Sequence, residues 1–317
     1  MSEQQEPSWE RQVLEKLVVT ALKEQRKGRN WSIFFKFVGF GWLFLFLAVI
    51  VTWHRGDARE GGSRSLGPHT ALVELNGVIS AGDNANADNI NEGLRNAFKD
   101  KNTKGVILRI NSPGGSPVQA GQINDEIKRQ RKLHPDIPLY VVVDDICASG
   151  GYYVAVAADK IFVDKASLVG SIGVLMDGFG FTGAMEKLGV ERRLLTAGAN
   201  KGFLDPFSPQ SPTQVEYAKQ MLGEVHQQFI NVVKQGRGKR LKETPDMFSG
   251  LVWSGEKSVE LGLADALGSA DTVARDVIKA EEIVDFTPHE DWAQRFARSI
   301  GAAAGTKLGS YLEFKLK

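Results

Sequence analysis

Two apolar segments, each followed by a glycine-containing corner and a helical pattern, constrain the fold of this chain most strongly. The first is KGVILRI at residues 104–110, which runs into NSPGG; the second is PLYVVVDD at 138–145, which runs into ICASGG. Nearly continuous apolar runs of this length are typical of buried strands in a parallel sheet. Ser116 is a natural N-cap for the first helix, with Pro117 at its first position. The alternation predicts an α/β fold with a mostly parallel sheet.

The two corners are expected at the carboxyl ends of adjacent strands, where sites form in sheets of this kind. Glycines there let backbone N–H groups face outward, and a helix N-terminus favours negative charge. An oxyanion hole requires such donors. Ser149 lies at the second corner, although Cys147 occupies the first glycine position of the hydrolase pattern G-x-S-x-G. From the residues alone, two turns without chemistry remain the alternative.

A nucleophilic serine needs a base, and the usual candidate is a histidine. No histidine lies in a predicted strand-end loop; the five are His54, His69, His134, His226 and His289. A lysine can replace histidine when burial disfavours its charged form. Lys201 follows a predicted apolar strand within LLTAGANKGFLDPFSP, residues 194–209, and an ordinary exposed loop lysine is the alternative. The apolar wall that could desolvate it comprises Phe203, Leu204, Pro206 and Phe207.

Several motifs together resemble the signal peptide peptidase A (SppA) family of serine-lysine membrane proteases. They are NSPGGS, ASGGYYVAVAADKI, VGSIGV and AGANKGFLDPFSP, in chain order, followed by SGLVWSGEKSVELGLADALG at residues 249–268. The resemblance covers residues 70–285. It implies that Ser149 is the nucleophile, Lys201 the general base and Ser171 the residue that positions the lysine amine. It also implies an oxyanion hole from Gly150 and the NSPGG turn, with Gly114 preferred over Gly115.

The same resemblance implies a fold and an assembly. The core is expected to be crotonase-like or Clp-protease-like, and the protein is expected to form a homo-oligomeric ring in which the serine of one subunit meets the lysine of its neighbour. Its substrates would be peptides: remnant signal peptides and other exported or misfolded polypeptides. The chemistry would need neither a metal nor a cofactor.

An apolar segment near the N-terminus predicts a membrane anchor. Residues 37–53 contain no charged side chain, and residues 31–53 have the length that crosses a bilayer. Tryptophans lie near both ends, at Trp31 and Trp53, where interfacial aromatic residues belong. A buried core helix and a cleaved signal peptide are the alternatives, but the segment has no polar face, and no A-x-A cleavage pattern follows it. We therefore predict an uncleaved signal anchor that contacts the lipid bilayer.

Basic residues set the predicted orientation of this anchor. More of them precede it than follow it closely, so the positive-inside rule leaves the N-terminus cytoplasmic and the catalytic domain outside a bacterial cytoplasmic membrane. They are Lys16, Lys23, Arg26, Lys27 and Arg29 before it, and Arg55, Arg59 and Arg64 after it. The predicted organisation is a cytoplasmic segment 1–30, the anchor 31–53, a linker 54–69, the peptidase domain 70–285 and a tail 286–317.

Composition excludes some functions. Lys and Arg number 39 against 38 Asp and Glu, so no bulk charge favours binding to nucleic acid. The single cysteine excludes an intrachain disulfide and a cysteine-rich zinc site. We interpret Cys147 as a small buried core residue rather than a nucleophile.

Two other functions remain open from the sequence. A coenzyme A enzyme of the same fold would use paired glycine turns to polarise a thioester without a nucleophile. A catalytically idle membrane scaffold would keep the fold and recruit partners. The pairing of Ser149 with Lys201, the anchor and the C-terminal signature count against the coenzyme A enzyme. Labelling of Ser149 by a serine hydrolase probe would separate both alternatives from a protease.

Overall fold

We analysed a computed structural model, which describes residues 16–20, 23, 31, 33–46 and 67–288. The chain divides into two compact units, residues 1–63 and 64–317. In the first unit, residues 16–20 and 33–46 are helical, and the large apolar side chains along 33–46 are exposed. Within the described residues, no helix is both long and apolar enough to cross a bilayer.

Several predicted segments extend outside the described residues. These are residues 47–53 of the anchor, residues 54–66 of the linker, most of the segment 1–30, and the tail from 289 onward. The anchor and the domain boundaries therefore stay predictions.

The second unit alternates strands with helices. Its strands are β1 (His69–Asn76), β2 (Thr103–Ser112), β3 (Leu139–Ala148), β4 (Lys160–Val163), β5 (Leu168–Gly170), β6 (Val252–Ser254), β7 (Ala266–Leu267) and β8 (Ile283–Asp285). Its α-helices are α1 (Ala87–Lys99), α2 (Pro117–Leu133), α3 (Gly150–Ala155), α4 (Thr182–Leu188), α5 (Pro212–Arg237), α6 (Gly255–Glu260) and α7 (Ala270–Thr272). A 3₁₀ turn (Gly238–Arg240) follows α5, and a π-helix (Val273–Ile278) follows α7. Ser116 caps α2 by accepting a hydrogen bond from the Gln119 N–H, as predicted.

Six of the eight strands lie in one sheet in the order β6-β5-β3-β2-β1-β8; β4 also pairs with β3, and β7 pairs with β4. All described pairings are parallel except that of β5 with β6, which confirms the predicted α/β class with a mostly parallel sheet. Strand β3 pairs with two strands along the same edge: residues 140–143 pair with β4, and residues 146–148 pair with β5. The end of β3 therefore lies beside β5, next to the predicted site.

Alternate residues of the central strands bury two faces of the sheet. Val73, Leu108 and Val141 belong to a large apolar cluster with α1, α2 and α3, whereas Ile107 and Val142 belong to a smaller one with the π-helix. Side chains point alternately to the two faces of a strand, so both faces need cover. This explains why β2 and β3 read as nearly continuous apolar runs.

Beyond the end of β1, Ile79 forms an isolated bridge to Gly115. One local prediction differs from the structure. The apolar strand predicted before Lys201 is wrong, because residues 190–196 form no strand and the Leu195 side chain is 96% exposed. Within the described part of the chain, these residues pair with no sheet edge.

A buried ion pair joins the end of α5 to β7. Arg237 is 1% exposed and donates to both carboxylate oxygens of Asp265, at 2.8 and 3.0 Å, and to the Gly262 carbonyl at 2.8 Å. Asp265 also accepts from the Ile161 N–H at 2.7 Å and from Arg240 at 3.1 Å. Burial by itself raises the pKa of Asp265, but the hydrogen bond and charge of Arg237 outweigh it and hold the pKa below its ordinary value.

We predict that Asp265→Asn lowers the free energy of unfolding by about 3–5 kcal/mol at pH 7, because it leaves the Arg237 charge buried without a counter-charge. The lowered pKa gives stability that is present above the unfolded-state pKa, about 4, and is lost as pH falls below it. Thermal unfolding followed by circular dichroism should therefore show a smaller loss of stability below pH 4 in the variant than in the wild type. Asp276→Asn, in the exposed Arg275–Asp276 pair, is the control and should change the free energy of unfolding little. Equal effects of the two substitutions would contradict the prediction.

Candidate active site

The two glycine corners meet at the carboxyl ends of β2 and β3. Ser112 pairs with Cys147 across these strands. A Cβ atom added to Gly114 would lie 2.7 Å from both the Gly150 N and the Ser149 Cβ, and one added to Gly150 would lie 3.2 Å from the Gly115 N. The corners are therefore packed backbone against backbone, which only glycine permits.

The Ser149 backbone has a conformation that residues other than glycine rarely adopt. Its φ is 52° and its ψ is −121°. The Ser149 N–H donates to the Gly170 carbonyl at 2.9 Å, and the Ser149 carbonyl accepts from the Tyr153 N–H at 2.9 Å, at the first turn of α3. Such strained residues persist only where their surroundings fix them, and they cluster at active sites. Ser149 is half-buried and lines a cleft.

The predicted oxyanion donors differ in their availability. The Gly114 N–H donates to the Ser112 hydroxyl at 3.1 Å, and Gly114 does not line the cleft. Gly115 and Gly150 both line it, and neither N–H has a partner among the described residues. The Gly150 N–H is the first of α3, which has no partner within the helix. The geometry therefore favours Gly115 over Gly114, the reverse of the order preferred from sequence.

Ser171 lies in the same cleft as Ser149. It follows β5 directly, with a φ of 51°, and its N–H donates to the Leu251 carbonyl at 2.7 Å. Leu251 belongs to the C-terminal segment SGLVWSGEKSVELGLADALG, and Ser249 and Gly250 of that segment also line the cleft. This contact gives the segment a structural role beside the site.

The cleft has a volume of about 580 Å³, and most of its wall is apolar. Beyond the corners, its wall includes Ala120, Tyr153, Val174, Leu175, Val225 and Phe229. The Tyr153 and Phe229 rings are in contact, with centroids 5.2 Å apart. Sequence reasoning missed the residues of α5, Val225 and Phe229, because an amphipathic helix carries no sign of what its apolar face will cover.

Lys201 is not among the residues that line this cleft. It is exposed in a turn where its N–H donates to the Gly198 carbonyl at 3.1 Å. Farther along the same loop, Asp205 accepts hydrogen bonds from Ser208 at 2.7 Å and from Arg192 at 3.3 Å. The hydrogen bond from Ser208, and then that from Arg192, hold the pKa of Asp205 below its ordinary value.

The apolar residues beside Lys201 pack on one another rather than on its amine. Phe181 stacks on Phe207 with centroids 5.3 Å apart, and Phe203 meets Tyr217 edge-on at 5.9 Å. Phe181 and Phe203 line a separate cavity of about 700 Å³, whose lining does not include Lys201. The single chain thus brings Ser149, Ser171, Gly115 and Gly150 together but leaves Lys201 apart.

Other residues considered from the sequence have structural roles. Cys147 is fully buried in the core, which raises the pKa of its thiol, so the interpretation as a core residue is confirmed. His69 and His134 stack on Phe286 and Phe98, and His226 contacts the Ile172 carbonyl; none of the three lines the cleft. Between residues 67 and 288, no group of three or more His, Cys, Asp or Glu side chains is placed to hold a metal ion.

The fold and the cleft define an α/β protein with a serine beside unpaired backbone donors, the arrangement of an acyl-transfer site. Residues 131–284 match the model of peptidase family S49.

Individual relatives agree with this family. The chain is 31% identical over 223 residues to a protein of Enterococcus faecium named signal peptide peptidase SppA, covering 68% of this chain and 64% of that one. It is 32% identical over 225 residues to Protease 4 of Haemophilus influenzae, covering 68% and 35%. A Brucella melitensis protein named Na(+)/H(+) antiporter NhaA is 41% identical over 210 residues, covering 65% of this chain and 28% of that protein. Most of the antiporter therefore lies outside the match. The chain spans less than two thirds of each of these relatives' own lengths.

The matched solved structures have low TM-scores against this chain. A membrane-bound stomatin-specific protease gives a TM-score of 0.38 at 13% identity, covering 71% of this chain and 96% of that one. A ClpP1 variant from Listeria monocytogenes gives 0.40 at 15% identity, covering 62% and 91%. Superpositions at this level do not by themselves establish a common fold.

We predict that Gly115→Ala lowers kcat for peptide hydrolysis by about 10²- to 10³-fold, the effect of losing one oxyanion donor. The added Cβ would lie 2.2 Å from the Ile79 carbonyl oxygen at a φ of +147°, so the corner must shift. Gly121→Ala is the matched control, since a Cβ there meets nothing within 4 Å and α2 should gain up to about 1 kcal/mol. A Gly115→Ala protein that cleaves at the wild-type rate would show that the Gly115 N–H is not an oxyanion donor.

Proposed function

We propose that this protein is a serine endopeptidase in which Ser149 is the nucleophile and Lys201 the general base. The observation that carries the proposal is the Ser149 corner: a strained, half-buried serine that shares one cleft with the unpaired N–H groups of Gly115 and Gly150. The match of residues 131–284 to peptidase family S49 supports the same chemistry.

In the proposed reaction, Ser149 Oγ attacks the scissile carbonyl while the Lys201 amine accepts its proton. The Gly115 and Gly150 N–H groups stabilise the oxyanion as it forms. Lys201 then protonates the leaving amine, and water releases the acyl group with the same lysine as base. Ser171, in the same cleft, would donate or accept a hydrogen bond at the amine and orient it.

We infer that the two catalytic side chains come from neighbouring copies of the chain. A lysine acts as a base only in its neutral form, which requires removal from water. In the single chain Lys201 is exposed and is absent from the cleft wall. Insertion of its side chain into the cleft of a neighbouring copy would bury the amine.

The surface around Lys201 supports assembly as well. Residues 175–195 expose large apolar side chains, among them Leu175, Phe179, Leu188 and Leu195. Extended exposed apolar patches usually mark contacts between proteins. We propose a homo-oligomeric ring, built on a crotonase-like or Clp-protease-like core.

We further propose that the substrates are remnant signal peptides and other exported or misfolded polypeptides. The apolar wall of the cleft suits apolar peptide segments, and the name of the Enterococcus relative points to the same substrates. Residues 31–53 would anchor the chain in a bacterial cytoplasmic membrane, with the N-terminus cytoplasmic and the peptidase domain outside. The uncharged run of residues 37–53 supports this location.

We predict that Ser149→Ala and Lys201→Ala each abolish hydrolysis of a synthetic signal peptide by the full chain purified in detergent. If neighbours share the dyad, co-assembly of the two inactive variants should restore activity, because about one site in four then combines an intact serine with an intact lysine. Size-exclusion chromatography checks that both variants assemble like the wild type, and labelling by a fluorophosphonate probe reports the nucleophile.

Each contrary outcome has a distinct meaning. Two inactive variants that never complement would place both residues of a site in one chain. Cleavage that persists without Ser149 or Lys201 would reject the dyad. A wild-type chain that neither cleaves nor reacts with the probe would favour the scaffold or the coenzyme A alternative.

A further inference from the structure

The segment after β5 carries Ser171 into the cleft and continues as one of its walls. Ser171, Gly173, Val174 and Leu175 all line the cleft, whereas the intervening Ile172 is fully buried in the core. No regular secondary structure stabilises residues 171–181, and Ser171 has a φ of 51°. The position of the Ser171 hydroxyl therefore depends on the few contacts that hold this backbone.

Two hydrogen bonds hold the start of the segment. The Ser171 N–H donates to the Leu251 carbonyl at 2.7 Å, and the Ile172 carbonyl lies 3.1 Å from Nε2 of His226 on α5. A carbonyl only accepts, so Nε2 of His226 must carry the proton and donate. His226 is half-buried and comes directly after Val225, a residue of the cleft wall.

The same geometry is unsuitable for a catalytic base. The imidazole nitrogen that contacts the segment is already a donor, and His226 does not line the cleft that contains Ser149. The contact instead ties the Ser171 segment to the helix that supplies Val225 and Phe229 to the same cleft.

We propose that His226 is a positioning residue, which fixes the Ile172 carbonyl and thereby orients the Ser171 hydroxyl toward the lysine amine. This proposal rests on the proposed serine-lysine function and on the role of Ser171 within it. His226 acts through Ser171 and touches neither the substrate nor the reacting atoms.

The test compares two variants of the full chain in detergent. His226→Leu removes the donor at similar volume, and His226→Gln retains an N–H donor at nearly the same reach. We expect His226→Leu to lower kcat about 10- to 100-fold with little change in KM, because a misplaced group affects the reaction more than binding. His226→Gln should stay within about threefold of the wild type, since the hydrogen bond is kept. Melting temperature and oligomer size, measured alongside, identify any loss that comes from unfolding.

A double-mutant cycle with Ser171→Ala tests whether His226 affects kcat through the Ser171 hydroxyl. If His226 acts through the Ser171 hydroxyl, adding His226→Leu to Ser171→Ala should cost much less than it does in the wild type. Full activity in His226→Leu, no rescue by Gln, or additive losses with Ser171→Ala would each overturn the proposal. A wild type without peptidase activity would instead reject the proposed function, so the two failures are distinguishable.

Discussion

The contact between the two strand-end corners is the constraint on which the rest of the site depends. The backbone at Gly114 lies so close to Ser149 and Gly150 that a Cβ atom at Gly114 would clash with both. Bare backbone on both sides brings the Gly115 and Gly150 N–H groups to the same cleft, beside the Ser149 hydroxyl. The strained φ of Ser149 is stabilised by this packing and by its hydrogen bond to Gly170. The geometry of this site is thus a consequence of how β2, β3 and β5 end.

The outer parts of the cleft come from elements far away in the chain. Helix α5 supplies Val225 and Phe229, and the C-terminal segment accepts the Ser171 N–H at the Leu251 carbonyl. The Arg237–Asp265 pair and the hydrogen bond from the Tyr152 hydroxyl to the Leu263 carbonyl join these parts to the sheet and to α3. Both contacts are largely buried, so water competes little for their polar groups.

The position of Lys201 distinguishes the single chain from the proposed enzyme. Its N–H donates to the Gly198 carbonyl in a turn, and its side chain is exposed in the single chain. A lysine acts as a base in its neutral form, which burial favours, and the cleft of Ser149 has a largely apolar wall. Assembly is the simplest way to satisfy both observations, and it would also cover the apolar residues around 175–195.

The sequence by itself determined the elements and the corners. Apolar runs that end in glycine predicted β2, β3 and the adjacency of NSPGG and ASGG, because parallel strands end at a common edge. The family motifs identified Ser149, Ser171 and Lys201 as candidates. The sequence could not distinguish Gly114 from Gly115, since that depends on a hydrogen bond to Ser112 that forms only when the corner has folded. It wrongly predicted a strand before Lys201, because apolar residues that face solvent in one chain resemble those that pair in a sheet. Only the tertiary structure brought α5 and the Leu251 segment to the cleft and His226 to the Ile172 carbonyl. Contacts between residues distant in the chain leave no local pattern in the sequence.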